Sequence, residues 1–176
     1  MAKSVFDNIR NLAGDRDRSI AWYRGKIRGL GNRINSSRLI RTGKVTTRPV
    51  LNNLHMFFYD PKTKLKLPYY DRFPLVMPIE RYSDGFLGIN FHYLPIPLRM
   101  RLMEILDKNS FKGRYSALKR QKLIKPCLKR YLRQHYRSGF LRLDEDDYVP
   151  AALMPVQKFV KAKEGRIWAD SRRRAI

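Results

Sequence analysis

Apolar positions at the start of the chain recur at helical spacing. Val5, Phe6, Ile9, Leu12 and Ala13 fall on one face, and Gly14 offers a stop. Ile20, Tyr23, Ile27, Leu30 and Ile34 form a second face, weakened by Gly25, Gly29 and Gly31. One or two amphipathic helices over residues 4–35 are therefore expected. Residues 35–53 are polar and aperiodic and read as a connecting arm that follows a surface.

From residue 54 the period changes. Leu54 to Tyr59 is an aromatic run, and Asp60-Pro61-Lys62-Thr63 is a turn in which Asp bonds back to the backbone and Pro presets the next dihedral. Lys64-Leu65-Lys66-Leu67 alternates as a half-buried strand does, and Pro68 ends it. Phe73 to Tyr82 is a further apolar run, Ser83-Asp84-Gly85 a turn, and Phe86 to Tyr93 the closing strand. Three or four short strands with tight turns make a small antiparallel meander or an SH3-like barrel. The aromatic residues Phe57, Phe58, Tyr69, Tyr70, Phe73, Phe86 and Phe91 are its expected core.

Helical spacing returns after Pro95 and Pro97. Leu98, Leu102, Ile105 and Leu106 give one stripe. Residues 114–138 hold a longer helical pattern with a bend at Pro126. Beyond the bend, Ile124, Leu128, Tyr131, Leu132 and His135 share one face, and Lys122, Lys125, Lys129, Arg133 and Arg137 the opposite one. Gly139 marks the end of that helix. A last helix is expected from about Pro155, with Val156, Phe159 and Val160 inward and a frayed tail at Arg172-Arg173-Arg174. The fold class is thus α+β: a small β module at 54–96, flanked by a basic helical arm and linker at 1–53 and a basic helical region at 97–176.

Charge sharpens this picture. The chain has 176 residues and a formal net charge of +23. Residues 1–50 carry 12 Lys/Arg against 3 Asp/Glu, and residues 99–143 carry 14 against 2. The segment between them is close to neutral, with 5 against 4 over residues 51–98. Like charge at this density opposes compaction unless an anionic partner neutralises it. A polyanion is expected, and DNA is the first candidate. Between Asp107 and Asp144 there is no acid at all, whereas ordinary solvated faces mix their signs. The expected phosphate contacts are Lys119, Arg120, Lys122, Lys125, Lys129, Arg130, Arg133 and Arg137, with Arg24, Lys26 and Arg28 in the N-terminal arm. Trp22 and Tyr23 beside Arg24 read as core before base-stacking residues.

Other chemistry is thinly represented. The three histidines, His55, His92 and His135, stand at no metal-ligand spacing with one another or with the single cysteine, Cys127. No phosphate-binding glycine loop or nucleophile elbow is present. Asp60, Asp71, Glu80 and Asp84 are explained locally rather than as a nuclease metal site, and Asp144-Glu145-Asp146-Asp147 lacks the spacing of a Ca²⁺ loop. No enzymatic activity, metal or cofactor is expected. One cysteine excludes an intramolecular disulfide framework, and Cys127 reads as a small apolar packing group. No apolar run approaches the roughly 20 residues that span a bilayer, and no signal peptide is seen, so no membrane partner is expected.

Met56-Phe57-Phe58-Tyr59-Asp60-Pro61-Lys62-Thr63-Lys64, Leu67-Pro68-Tyr69-Tyr70-Asp71-Arg72-Phe73-Pro74-Leu75-Val76 and Gly85-Phe86-Leu87-Gly88-Ile89-Asn90-Phe91-His92-Tyr93-Leu94-Pro95 carry a resemblance. The chain resembles small virion structural proteins of T-even-type contractile-tailed bacteriophages. Within that group, the DNA end protectors, which join the filled head and shield genome ends from host exonuclease, suit the charge best. The resemblance equally admits a neck or baseplate connector whose basic arms contact acidic subunits. Either implies synthesis in the host cytoplasm and assembly with other virion proteins into a larger particle. It implies no particular site residues. An RNA-binding or ribosome-associated protein remains a third reading of the charge alone.

Overall fold

A computed structural model describes residues 44–108, 118 and 120–175. The expected N-terminal helices, with Trp22, Tyr23, Arg24, Lys26 and Arg28, lie outside the described residues, as does Lys119.

The architecture is α+β. Strands β1 (Lys44–Thr46), β2 (His55–Met56), β4 (Leu75–Tyr82), β5 (Gly85–Asn90), β6 (Leu128–Leu132) and β7 (Phe140–Arg142) form one antiparallel sheet in the order β1-β7-β2-β4-β5-β6. Strand β3 (Tyr70–Asp71) pairs separately with β8 (Phe159–Val160). Among the described residues, helices α1 (Ile96–Lys108), α2 (Tyr148–Leu153) and α3 (Glu164–Ala175) accompany the sheets. The sheet draws strands from the basic flanks as well as from the neutral centre. Among the described residues no helix is long and apolar enough to cross a membrane.

The central hairpin β4–β5 forms where the apolar runs and the Ser83-Asp84-Gly85 turn place it, with an irregularity between Pro78 and Glu80. Alternation then sorts its side chains. Leu75, Met77 and Ile89 join the main core with Leu102, Met103 and Leu106 of α1 and Val149 and Leu153 of α2. Val76 and Phe86 point the other way into an aromatic cluster with Phe57, Tyr59, Tyr131 and Phe140. Phe57 sits at its centre, with ring centroids 4.7 Å from Phe140 and 5.3 Å from Tyr131. With both faces covered, β4 reads as a continuous apolar run rather than an alternating one.

Several expectations are corrected. Residues 122–137 do not form an α-helix. A 3₁₀ turn spans Lys122–Cys127, β6 follows, and a second 3₁₀ turn spans Arg133–His135. The change comes at Pro126, which has no N–H to donate, and from Leu128 to Leu132 the chain instead pairs in register with the open edge of β5. The 155–160 stretch is not helical either. Lys158 N–H donates to Asp71 Oδ1 at 3.1 Å, its carbonyl accepts from Arg72, and Lys161 takes a left-handed φ of 70° that closes off a helix until Glu164. The tail Arg172-Arg173-Arg174 is helical and exposed.

Lys64-Leu65-Lys66-Leu67 forms turns, not a strand, and Leu65 is 87% exposed. The Lys161 ammonium holds that loop through the carbonyls of Lys64 (2.5 Å), Leu65 (3.1 Å) and Leu67 (3.0 Å). Asp60 binds the Lys64 ammonium through both oxygens instead of turning back on the backbone. Part of the connecting arm, Lys44–Thr46, is an edge strand on β7. Phe57, Phe86 and Phe91 are core as expected, Tyr69, Tyr70 and Phe73 are half-buried, and Phe58 is exposed against Phe73 at 4.7 Å. Cys127 packs fully buried, and burial pushes its thiol up to about 12.

Candidate nucleic-acid interface

The basic run is split by the fold into three environments. Lys122 and Lys125 stand three residues apart on the 3₁₀ turn, a spacing that puts both on one side, while Ile124, Pro126 and Cys127 turn inward. These two lysines, with Arg120 and Arg133, are exposed and have no hydrogen-bonded or ion-paired side-chain partner among the described residues. Arg130 and Arg137 are exposed but engaged. Arg130 pairs with Asp84 and lies 3.9 Å over the Tyr82 ring, and Arg137 reaches Asp60 at 3.8 Å and the carbonyl of Gln134 at 3.1 Å. The acidic run is an exposed 3₁₀ turn that leads into α2.

Lys129 falls in neither set. It is half-buried, its ammonium 4.0 Å from the Tyr93 ring centroid. Burial lowers its pKa to about 8, and Arg174 reinforces the shift against Cys127. It faces a cavity of about 460 Å³ bounded by the 59–71 loop, β6 and the end of α3. Tyr59, Tyr69, Tyr70, Tyr93 and Tyr131 line it, along with Lys129 and Arg174. The tyrosines are fixed from behind. Tyr59 and Tyr131 meet at 4.9 Å, Leu132 N–H donates to the Tyr59 hydroxyl at 3.0 Å, and Asn90 Nδ2 donates to the Tyr131 hydroxyl at 3.1 Å. Tyr69 donates to Asp170 of α3 at 3.4 Å.

Behind this cavity lies a sealed polar cluster. His92 Nδ1 meets Asp71 Oδ2 at 2.6 Å, and Asn90 Nδ2 approaches the same oxygen at 3.4 Å. Asp71 Oδ1 accepts from the N–H groups of Phe73 and Lys158. Burial alone would raise the Asp71 pKa, but His92 and these donors outweigh it and hold the carboxyl below its ordinary value. Burial lowers His92 in spite of Asp71. The buried Arg99 guanidinium donates to the carbonyls of Leu94 (2.7 Å), Ala152 (3.2 Å) and His92 (3.4 Å) and to Gln157 Oε1 (3.3 Å). Burial lowers its pKa to about 10. The cavity wall includes Asp71 and Asn90 but not His92, whose Nε2 is buried and unpartnered among the described residues. No group of three His, Cys, Asp or Glu side chains able to hold a metal occurs among the described residues.

The sequence reading assigned Lys129 an outward role and missed the cavity. Five tyrosines scattered between residues 59 and 131 carry no common spacing, so nothing in the chain order marked them as one wall. A model of the family described as Phage T4 terminal DNA protecting protein matches residues 2–172. No curated protein and no solved structure matches the chain. The family match lends no support to a neck or baseplate role. The chain belongs to the family of phage T4 terminal DNA protecting proteins.

Proposed function

We propose that this member of the terminal DNA protecting family is a non-enzymatic virion protein that grips genome ends through backbone phosphates. The observation that carries this reading is the surface set Arg120, Lys122, Lys125 and Arg133, exposed and without acidic partners among the described residues, in a chain of net charge +23. Cations so placed are repelled by one another and attracted by a phosphate backbone, which binds without reading sequence. Lys119, Arg24, Lys26 and Arg28 would extend the same contact, and Arg130 and Arg137 would join it by exchanging carboxylates for phosphates. Bound in the filled head, the protein would cover the duplex end against exonuclease and contact other virion proteins.

A duplex-binding titration tests the reading. With about six to ten phosphates engaged, affinity falls roughly 10³–10⁵-fold between about 50 and 200 mM salt. The combined reversal Lys122→Glu, Lys125→Glu and Arg133→Glu should flatten that slope by about three phosphates' worth. A salt-independent affinity, or a reversal variant with an unaltered slope, removes the proposal.

A further inference from the structure

The cavity on the inner side of β6 has the chemistry of a site for one nucleotide. Its volume of about 460 Å³ lies within the range of small-ligand sites, about 300–1,000 Å³. Five tyrosines line it; Tyr59, Tyr93 and Tyr131 are buried, and the half-buried Tyr69 and Tyr70 are the rings left for a base, which stacks regardless of identity. Lys62 of the 59–71 loop, Lys129 from β6 and Arg174 from the last turn of α3 line it, and none of the three has a carboxylate partner among the described residues. Arg130 also lines the cavity but is held by Asp84 and Tyr82. The one carboxylate in the wall, Asp71, is saturated by His92, Asn90 and two backbone N–H groups.

We propose that this cavity holds the terminal nucleotide of a linear duplex, the base against the tyrosine rings and the 5′-phosphate between Lys129 and Arg174. This rests on the DNA-end reading above and gives it a physical basis for telling an end from the middle of a duplex. A base within a duplex is stacked on both sides and paired, so bringing it into a cavity means breaking two stacks and a pair. A terminal base loses its pair but only one stack. A terminal phosphomonoester also carries more negative charge than an internal diester, about −1.5 to −2. The desolvated Lys129 ammonium, whose pKa burial lowers to about 8, gains most from such a group because no carboxylate pairs with it among the described residues.

The test compares three duplexes of one sequence: 5′-phosphorylated open ends, 5′-hydroxyl open ends, and a dumbbell with both ends closed by hairpins. The native chain should bind the phosphorylated open duplex about tenfold or more tightly than the dumbbell, with the hydroxyl form between them. Lys129→Met, which keeps the side-chain stem on Tyr93 and removes the charge, should bring the affinities for phosphorylated and hydroxyl ends close together. If its thermal transition shows that this variant does not fold, Arg174→Ala, on an exposed position, carries the same expectation.

Equal native affinity for dumbbell and open duplex overturns the cavity proposal and leaves the backbone grip standing. Binding to none of the three removes both readings. An undiminished preference for phosphorylated over hydroxyl ends in the folded variant also overturns it. A deoxynucleoside 5′-monophosphate that binds the native chain without any end preference would assign the cavity to free nucleotides instead.

Discussion

The imidazole of His92 and the carboxylate of Asp71, 21 positions apart in the chain, meet at 2.6 Å with both side chains shut away from solvent. The pair joins β3 to the turn between β5 and α1, and two backbone N–H groups complete the Asp71 shell. Asp71→Ala leaves His92, Asn90 and those two N–H groups without their acceptor. The expected cost is about 3–5 kcal/mol, read as a lower urea midpoint with an unchanged m-value. A loss under about 1 kcal/mol would show that water reaches the site and replaces the carboxylate.

Arg99 performs the equivalent service on the other side of His92. Its guanidinium ties the carbonyls of His92, Leu94 and Ala152 to Gln157, and Gln157 in turn donates to Glu164 at 2.7 Å. Arg99→Met keeps much of the volume and abolishes the four guanidinium bonds. Thermal denaturation should show a loss of about 3 kcal/mol, since the buried carbonyls of Leu94 and Ala152 lose their donor and that of His92 keeps only Trp168 Nε1. Arg99→Lys should recover only part of it, because an ammonium lacks the planar fork.

His55 makes stability depend on pH. Its Nε2 accepts from Val50 N–H at 3.2 Å and its Nδ1–H donates to the Asn53 carbonyl at 2.8 Å, which requires the neutral ring. Burial, reinforced by Arg142, lowers its pKa from 6.5 to about 4 against the pull of the Asn53 bond. The folded state therefore binds fewer protons than the unfolded chain across that interval, and stability falls as pH falls from 6.5 to 4. Up to about 3 kcal/mol should be lost on this account in equilibrium unfolding. His92, also lowered, acts in the same direction. His55→Gln should flatten the slope, and an unchanged slope would locate the protonation elsewhere.

Two glycines give opposite expectations. A Cβ on Gly85 would run into the backbone carbonyl of Tyr131 on β6, which has no side chain to swing away. Gly85→Ala should destabilise by about 1–3 kcal/mol, and it should disturb the cavity wall that β6 provides. A Cβ on Gly165, in the first turn of α3, meets nothing within 4 Å. Gly165→Ala should stabilise by up to about 1 kcal/mol, visible as a higher midpoint of thermal unfolding.

What could be read along the chain follows the reach of local forces. The β4–β5 hairpin and α1 were legible because apolar runs, a Ser-Asp-Gly turn and Pro97 act within a few residues of one another. Strand β6 was not. Leu128, Tyr131 and Leu132 suit a helix face as well as a strand, and only the open edge of β5 chose between them. The same holds for Phe159 and Val160, which pair with Tyr70 and Asp71 almost ninety positions away.

The chain order alone settled the basic flanks, the neutral aromatic centre and the α+β class, since charge and hydrophobicity are properties of residues wherever they lie. Tertiary structure decided what each cation does. Lys122 and Lys125 remain on the surface, Arg130 and Arg137 are taken by Asp84 and Asp60, and Lys129 is turned onto Tyr93. Those outcomes depend on which strands pair and where their faces point, and pairing across tens of residues leaves no period in the sequence.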